Sequence, residues 1–413
     1  MGLEWRVSTW GDEVSLEYGK VLRGYQEDKR GYRVFGSNGP IGWAEKPLVG
    51  GPGVILGRKG AYRGVHFSKD PFFVIDTAYY VVPKSEMDRR WLYYAIQYHK
   101  LGEIDDGSPI PSTTRAAVYV RELEVPSVPE QRKIGRVLES LDDRIDYNRA
   151  LAANLEAIAR RLFKSWFVDF DPIRAKAAGE KPAGLADDIA ALFPDRFEDS
   201  ELGEIPEGWE MRTIGELADV VGGSTPSTKN DNYWVDGQHC WATPKDLARL
   251  SSPVLLNTER KVTDSGLSKI SSGLLPTGTV LLSSRAPIGY LAIAAMPVAI
   301  NQGFIAMKPK PNVSNLYLLF WAESSHEIIV ANANGSTFLE INKKNFRPIP
   351  AIDPGSAVVT TFANIVSPLF NMIVCAEREI ALLTQLRDLL LPRLVSGKLR
   401  VEDAEPIIEV TLA

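Results

Sequence analysis

VPSVPEQRKIGRVLESLDDRIDYNRALAANLEAIARRLFKSWFVDFDP, residues 125–172, is the stretch that decides the fold. Ser127 followed by Glu130 forms a capping-box pattern, and Pro129 falls in the first helical turn, where its missing N–H is tolerated. From there Ile134, Leu138, Leu141, Ile145, Asn148, Ala152, Leu155, Ala159, Leu162 and Trp166 step by three and four without a break. That is a heptad seam sustained over more than four heptads, with Asn148 as the one polar seam residue, a common register device. A helix from 129 to 167 is roughly 58 Å long at 1.5 Å per residue.

A second seam lies near the other end of the chain. After Asp353, read as an N-cap, and Pro354 come Val359, Phe362, Val366, Leu369, Ile373, Ala376, Ile380 and Leu383, then Leu386, Leu390 and Leu394, with Gly397 placed as a C-cap. The two helices belong to a longer repeat. Val54-Ile55-Leu56 leads to Arg58 and Gly64, and Val280-Leu281-Leu282 leads to Arg285 and Gly289, each pair about 225 residues apart. A chain made of two divergent copies of one unit usually meets a target that also has two parts.

Around the helices the texture is that of two mixed, strand-rich globular regions. In the first, Val54-Ile55-Leu56 and Phe72-Phe73-Val74-Ile75 read as short buried strands, Gly36-Ser37-Asn38-Gly39-Pro40 as a turn, and Arg89 to Lys100 as a helix. The second opens at Gly208-Trp209 and repeats this composition. Between them, 171–205 mixes Ala, Gly, Pro and charge and reads as a linker with one short helix at 185–193. The expected organisation is head one over 1–125, a long helix over 126–170, the linker over 171–205, head two over 206–350, a second long helix over 351–400 and a frayed tail over 401–413. Such seams need partners, and each half carries one, so the two helices are expected to pack on each other. Chain direction favours an antiparallel pair. The fold class is α+β: two mixed α/β recognition heads in tandem, held apart by an antiparallel coiled coil with an internal pseudo-two-fold repeat, in the shape of a dumbbell.

Composition narrows the function. The 413 residues suit two or three domains, and 45% hydrophobic with 24% charged residues is ordinary for a soluble globular protein. Cys240 and Cys375 are too few for a disulfide framework. His66, His99, His239 and His326 never show metal-ligand spacing. Met1 to Trp10 has no apolar core for a secretory signal, and Arg6 breaks the myristoylation pattern. The longest apolar run, Tyr290 to Ile300, is too short to span a bilayer. A cytoplasmic protein without a membrane partner is expected. The net charge of −5 counts mildly against a protein that binds nucleic acid over its whole surface, but not against basic residues gathered on loops or phosphate contacts supplied by a partner.

With these features in order, the chain resembles the specificity subunit of Type I restriction–modification systems. The resemblance covers nearly the whole chain. It is strongest at 125–134 running into Leu141-Asp142, and at Leu162 to Pro172. In head two it rests on Ile205-Pro206-Glu207-Gly208-Trp209, Gly223-Ser224-Thr225-Pro226-Ser227, Trp241 to Leu247, Ser284-Arg285-Ala286-Pro287-Ile288-Gly289 and Asn301-Gln302-Gly303-Phe304. The resemblance implies that each head reads one half of a bipartite, asymmetric sequence in double-stranded DNA, and that the helices fix the unread spacer. It also implies docking of modification subunits, two in number, and of restriction subunits. S-adenosylmethionine, ATP and Mg are then expected in those partners and no cofactor or metal in this chain.

The residues agree that catalytic constellations are missing. There is no Gly-x-x-x-x-Gly-Lys-Ser/Thr loop and no Gly-x-Ser-x-Gly elbow. Gly51-Pro52-Gly53 to Gly57 is glycine-rich without a following helix and reads as a turn. Asp70-Pro71-Phe72-Phe73 lacks the second proline of an amino-methyltransferase motif. Glu27-Asp28-Lys29 resembles the end of a nuclease site but is an ordinary charged triplet.

Base readout needs Arg, Lys, Asn, Gln, Ser or Thr at base edges. In head one the candidates are Ser37, Asn38, Arg58, Lys59, Tyr62 and Arg63, with Lys20 and Arg23 behind them. In head two they are Ser224, Thr225, Lys229, Asn230, Lys245, Ser283, Ser284, Arg285, Tyr290, Asn301 and Gln302. Arg58 and Arg285 are taken as repeat equivalents, which fits either DNA contact or a structural ion pair. Arg160, Phe163, Trp166, Phe167, Leu390 and Leu394 are the candidates for partner contact, with seam packing as the competing role of the aromatic pair. A two-headed scaffold that binds proteins and never reads DNA is the alternative from another class; a stand-alone enzyme of duplicated heads is a third.

Overall fold

The computed structural model describes residues 5–25, 30–105, 107, 110–200, 203–335 and 339–412. The Glu27-Asp28-Lys29 triplet lies outside them. The chain forms two compact units: Met1–Asp146 with Ala381–Ala413, and Tyr147–Ile380.

In the first unit the strands are β1 (Arg6–Thr9), β2 (Val14–Tyr18), β3 (Tyr32–Gly36), β4 (Gly39–Ala44), β5 (Gly53–Gly57), β6 (Val65–Ser68), β7 (Phe72–Val74), β8 (Ala78–Pro83) and β9 (Glu122–Val125). One sheet runs β2-β8-β5-β6, a second β4-β3-β7, and β1 pairs antiparallel with β9. Every residue of β5 is buried, which is why it reads as an unbroken apolar run. The helix Arg89–Tyr98, capped by the Asp88 carboxylate on the Arg90 and Trp91 N–H groups, covers that sheet.

In the second unit come β10 (Phe197–Ser200), β11 (Gly203–Pro206), β12 (Glu210–Thr213), β13 (Ala218–Gly222), β14 (His239–Ala242), β15 (Val254–Leu255), β16 (Arg260–Val262), β17 (Val280–Ser284), β18 (Ile288–Ala294), β19 (Ala299–Ile300), β20 (Phe304–Pro309) and β21 (Pro350–Asp353). Its sheets run β13-β20-β17-β18-β15 and β16-β14-β19, and β12 pairs antiparallel with β21. This is the first unit's plan with one added edge strand. The covering helix is Asn315–Ser324.

The strands of each unit are followed in sequence by a long helix of 40 residues, helix one (Val128–Phe167) and helix two (Ser356–Val395), and each helix contributes residues to both units. The seams are buried as their spacing predicts, with two corrections: Phe163 rather than Leu162 is buried after Ala159, and Phe370 rather than Leu369 after Val366. Asn148 is 2% exposed. The Asp353 carboxylate accepts the Gly355 N–H at 3.0 Å, three residues ahead of the first helical residue Ser356, so it does not cap the helix as expected. Gly397, at φ +67°, ends helix two, and the Leu399 N–H closes back onto the Arg393 carbonyl at 3.0 Å.

Three expectations change. The stretch 171–205 is more structured than a linker: it holds helices Asp171–Ala177 and Asp187–Ala190 and the β10–β11 hairpin, with Phe193 packed edge-on to Trp166 at 4.9 Å. The tail read as frayed forms a helix, Val401–Leu412, which buries Val401, Ala404 and Ile408 and pairs Glu402 with Lys133 at 2.6 Å. Helix two is long and apolar enough, by length and composition, to cross a membrane. Uninterrupted runs missed it because single polar residues break the apolar sequence.

Candidate nucleic-acid interface

In the first unit the loops at one end of the β2-β8-β5-β6 sheet are stitched together. The Gly57 N–H donates to the Gly64 carbonyl and the Gly64 N–H to the Ser37 carbonyl, each at 2.8 Å. A Cβ on Gly57 would sit 2.4 Å from that Ser37 oxygen, so the approach requires glycine. The Ser37 hydroxyl donates to the Thr77 carbonyl and accepts the Lys59 N–H at 3.2 Å. The loops that carry Ser37, Asn38, Arg58, Lys59 and Arg63 are thereby held side by side.

Their roles divide. Arg63 spends its guanidinium on three carbonyls, those of Gly60, Gly102 and Ile104, at 2.7–3.0 Å, and so clamps the loop. The Ser37 hydroxyl is likewise structural. Arg58 donates to the Asp76 carbonyl at 2.9 Å and lies 5.0 Å over the Tyr18 ring. Arg115, which sequence reasoning missed, stacks on the same ring at 4.2 Å. Below them burial, aided by Tyr18, pushes the Tyr79 phenol up to about 12. Asn38, Lys59 and Tyr62 stay exposed, as do Lys20 and Arg23. Among the described residues neither Asn38 nor Lys59 has a side-chain partner.

In the second unit Thr225 donates its hydroxyl to the Gln302 side-chain oxygen. The Ser224 hydroxyl, beside them, donates to the Lys269 carbonyl at 3.1 Å and accepts the Ser271 N–H at 3.0 Å. Asn301 accepts the Gly303 N–H at 2.8 Å. Asn230 caps the short turn Asp231–Tyr233, and Lys229 before it is exposed. Lys245 shares the Glu259 carboxylate with Arg249, and the Lys245 ammonium, the larger influence, holds that carboxyl below its ordinary range. Ser283 and Ser284 are corrections: they are 0% and 2% exposed, and the Ser283 hydroxyl is consumed by the Pro287 carbonyl and the Tyr290 N–H, both at 2.8 Å. Tyr290 is half-buried against the sheet. Arg285 faces Glu340 at 3.6 Å.

The repeat is also out by one residue at the arginines. The Arg58 N–H donates to the Thr77 carbonyl, and the Ser284 N–H to the Gly303 carbonyl. The Thr113 N–H donates to the Arg58 carbonyl, and the Ile341 N–H to the Ser284 carbonyl. Lys59 then bridges Ser112, and Arg285 bridges Glu340. Arg58 thus corresponds to Ser284, and Lys59 to Arg285. The shared position is cationic in both units.

An arginine–tryptophan pair that the sequence reading missed occurs in each three-stranded sheet, with the two residues exchanged between the corresponding strands. Arg33 of β3 opposes Trp43 of β4, with its guanidinium 4.8 Å over the indole. Arg260 of β16 opposes Trp241 of β14 and lies 5.5 Å over it and 3.6 Å over Trp234. No local pattern announces such pairs, because they depend on strand register.

The partner-contact candidates are mostly interior. Phe163, Trp166 and Phe167 are 1–5% exposed and pack on Tyr317, Phe193 and Trp209; Leu390 and Leu394 are buried too. Arg160 is tied to Glu323 and Glu156. The apolar residues that do face outward are Tyr147 and Ile158 on helix one and Ile365, Met372, Leu382 and Leu389 on helix two.

Comparison with known proteins follows this geometry. The Type I restriction modification DNA specificity domain matches residues 4–157 and 206–378, one match for each head with its adjoining helix. The Type I restriction enzyme MjaIX specificity subunit of Methanocaldococcus jannaschii is 37% identical over 179 residues, 43% of this chain and 41% of that protein. The match thus spans well under half of that relative. The HindI specificity subunit of Haemophilus influenzae is 28% identical over 353 residues, covering 73% of this chain and 74% of its own. Among solved structures, the Type-I restriction-modification system S subunit from M. genitalium shares the fold, with a TM-score of 0.64 at 15% identity over 95% of this chain and 96% of that one.

Proposed function

Because the chain belongs to the Type I restriction modification DNA specificity domain family, we propose that it selects the DNA sequence on which a restriction–modification complex acts. Each head takes one half of a split, asymmetric target. The observation that carries this reading is the exposed cationic position that recurs at the same backbone site of both units, Lys59 in one and Arg285 in the other. Near it in sequence or through backbone bonds stand Asn38 in the first unit and Gln302 with Thr225 in the second, and Lys20, Tyr62 and Lys229 are exposed on loops of the same units, groups suited to base edges and phosphates. Methyl transfer and cleavage, with S-adenosylmethionine, ATP and magnesium, fall to partner subunits in the cytoplasm.

The two long helices act as the spacer, paired antiparallel. In the first unit residue 142 of helix one meets residue 387 of helix two, and in the second unit residue 163 meets residue 362. The number rises on one helix as it falls on the other, which supports that direction. The outward apolar residues Ile365 and Met372 in the second unit, and Leu382 and Leu389 in the first, offer each unit an apolar docking face for a modification subunit.

Co-expression with the cognate modification subunits in a methylation-free host, followed by mapping of modified bases, tests the reading. A split motif with a constant gap, absent when this chain is omitted, is expected. A stable complex without methylation would instead favour the protein scaffold.

A further inference from the structure

Glu340 sits where a DNA-binding surface has least use for an acid. It projects beside Arg285, at the position whose counterpart in the first unit is Ser112 beside Lys59. A carboxylate facing a polyanion weakens binding unless it meets a donor, and the donor DNA offers in the major groove is the cytosine N4 amino group.

The pair is built to be rigid at its base and open at its tip. Arg285 and Glu340 are partners in a backbone bridge, and Glu340 is held from its other side by reciprocal N–H to carbonyl bonds with Asn334, both 2.9 Å. The side chains remain 38% and 46% exposed. Their charged atoms stand 3.6 Å apart, too far for a hydrogen bond, so the contact is an ion pair that leaves guanidinium donors and carboxylate lone pairs available. A guanidinium and a carboxylate side by side match the two bases of one pair: arginine donates to guanine O6 and N7, and glutamate accepts from cytosine N4.

We infer that Arg285 and Glu340 together read a single G·C base pair in the half-site of the second head, with Glu340 as the specificity-determining residue against other pairs. In the first head the same position carries Lys59 and Ser112, so no carboxylate accepts from cytosine there. This rests on the sequence-selecting role proposed above.

The test uses the full chain in complex with its modification subunits and a DNA library in which the second head's half-site is randomised. Glu340→Gln keeps the shape and removes the charge. The preference at one G·C pair, about 10- to 100-fold in the native complex, is expected to fall to within a few-fold. Arg285→Lys is expected to act at that same pair. The first head's half-site stays selective and reports that each variant has folded. Unchanged preferences in both variants, or an affinity loss spread evenly over all sequences, would overturn the pair as a base reader and leave it as scaffold or phosphate contact. A native complex that enriches no split sequence would remove the sequence-selecting role itself, and this inference with it.

Discussion

The two units bury their long helices against corresponding head helices by opposite chemistry. In the first, Tyr94 of helix Arg89–Tyr98 donates its hydroxyl to Asp142 of helix one at 2.6 Å, and Asp142 accepts from Arg387 of helix two at 2.9 Å. In the second, the matching residue of helix Asn315–Ser324 is Phe320. It packs on Phe163 of helix one at 5.9 Å and on Phe362 of helix two at 6.5 Å. Burial works against charge on Arg387, but Asp142 and Asp388 outweigh it and hold its pKa above the ordinary arginine range. Aromatic packing tolerates small slips between helices because dispersion is non-directional. The Tyr94–Asp142–Arg387 chain does not, since each bond has one geometry. One plan is thus held by bulk in one place and by register in the other.

The strongest blow to this contrast is Phe163→Ala. Removing a ring that touches Tyr317, Phe320 and Phe362 is expected to cost the second unit about 3–5 kcal/mol, measured by denaturant unfolding with hydrogen exchange to locate the loss. A loss confined to the first unit would contradict it. Asp142→Ala leaves the Tyr94 hydroxyl and one face of Arg387 without an acceptor and is expected to cost the first unit about 1–3 kcal/mol. Adding Tyr94→Phe to it should recover part of that cost in a double-mutant cycle; strict additivity would mean that the chain of bonds is not cooperative.

The smallest effect is alkaline. Burial first, then the Asp142 charge, raise the Tyr94 pKa above its unfolded value. A raised pKa contributes stability that is complete below about pH 10 and is lost as pH climbs toward the folded value. Tyr94→Phe should therefore flatten the alkaline decline of the first unit. Burial raises Tyr317 in the second unit as well, so exchange must be followed unit by unit. An unchanged alkaline slope in the first unit would show that Tyr94 does not titrate with unfolding.

The helices were legible because their stripe repeats locally. The misreadings cluster where local pattern and three-dimensional register part company. Phe163, Trp166 and Phe167 lie among charged neighbours, so partner contact and seam packing compete in the sequence for the aromatic pair; the helix turns all three inward, Phe163 and Phe167 onto Tyr317 and Trp166 onto Phe193. Arg58 was matched to Arg285 by residue type, whereas the backbone ladder matches Gly57 to Ser283, and a polar serine there is buried because Pro287 and Tyr290 satisfy it. Of the candidate interface, Asn38, Lys59, Thr225 and Gln302 were legible as exposed polar groups on loops. Glu340 was not, since only the pairing of β17's end with a segment more than fifty residues away sets it beside Arg285.

Each head is closed by two antiparallel strands, β1 on β9 and β12 on β21, and a long helix begins within three residues of the second strand of each pair. The chain therefore leaves a head beside the point where it came in, one strand spacing away. In mechanical terms, that makes the strand pair a clasp: a force pulling the two ends of a head apart falls first on the N–H to carbonyl bonds between β1 and β9, or between β12 and β21, before it reaches the sheets within.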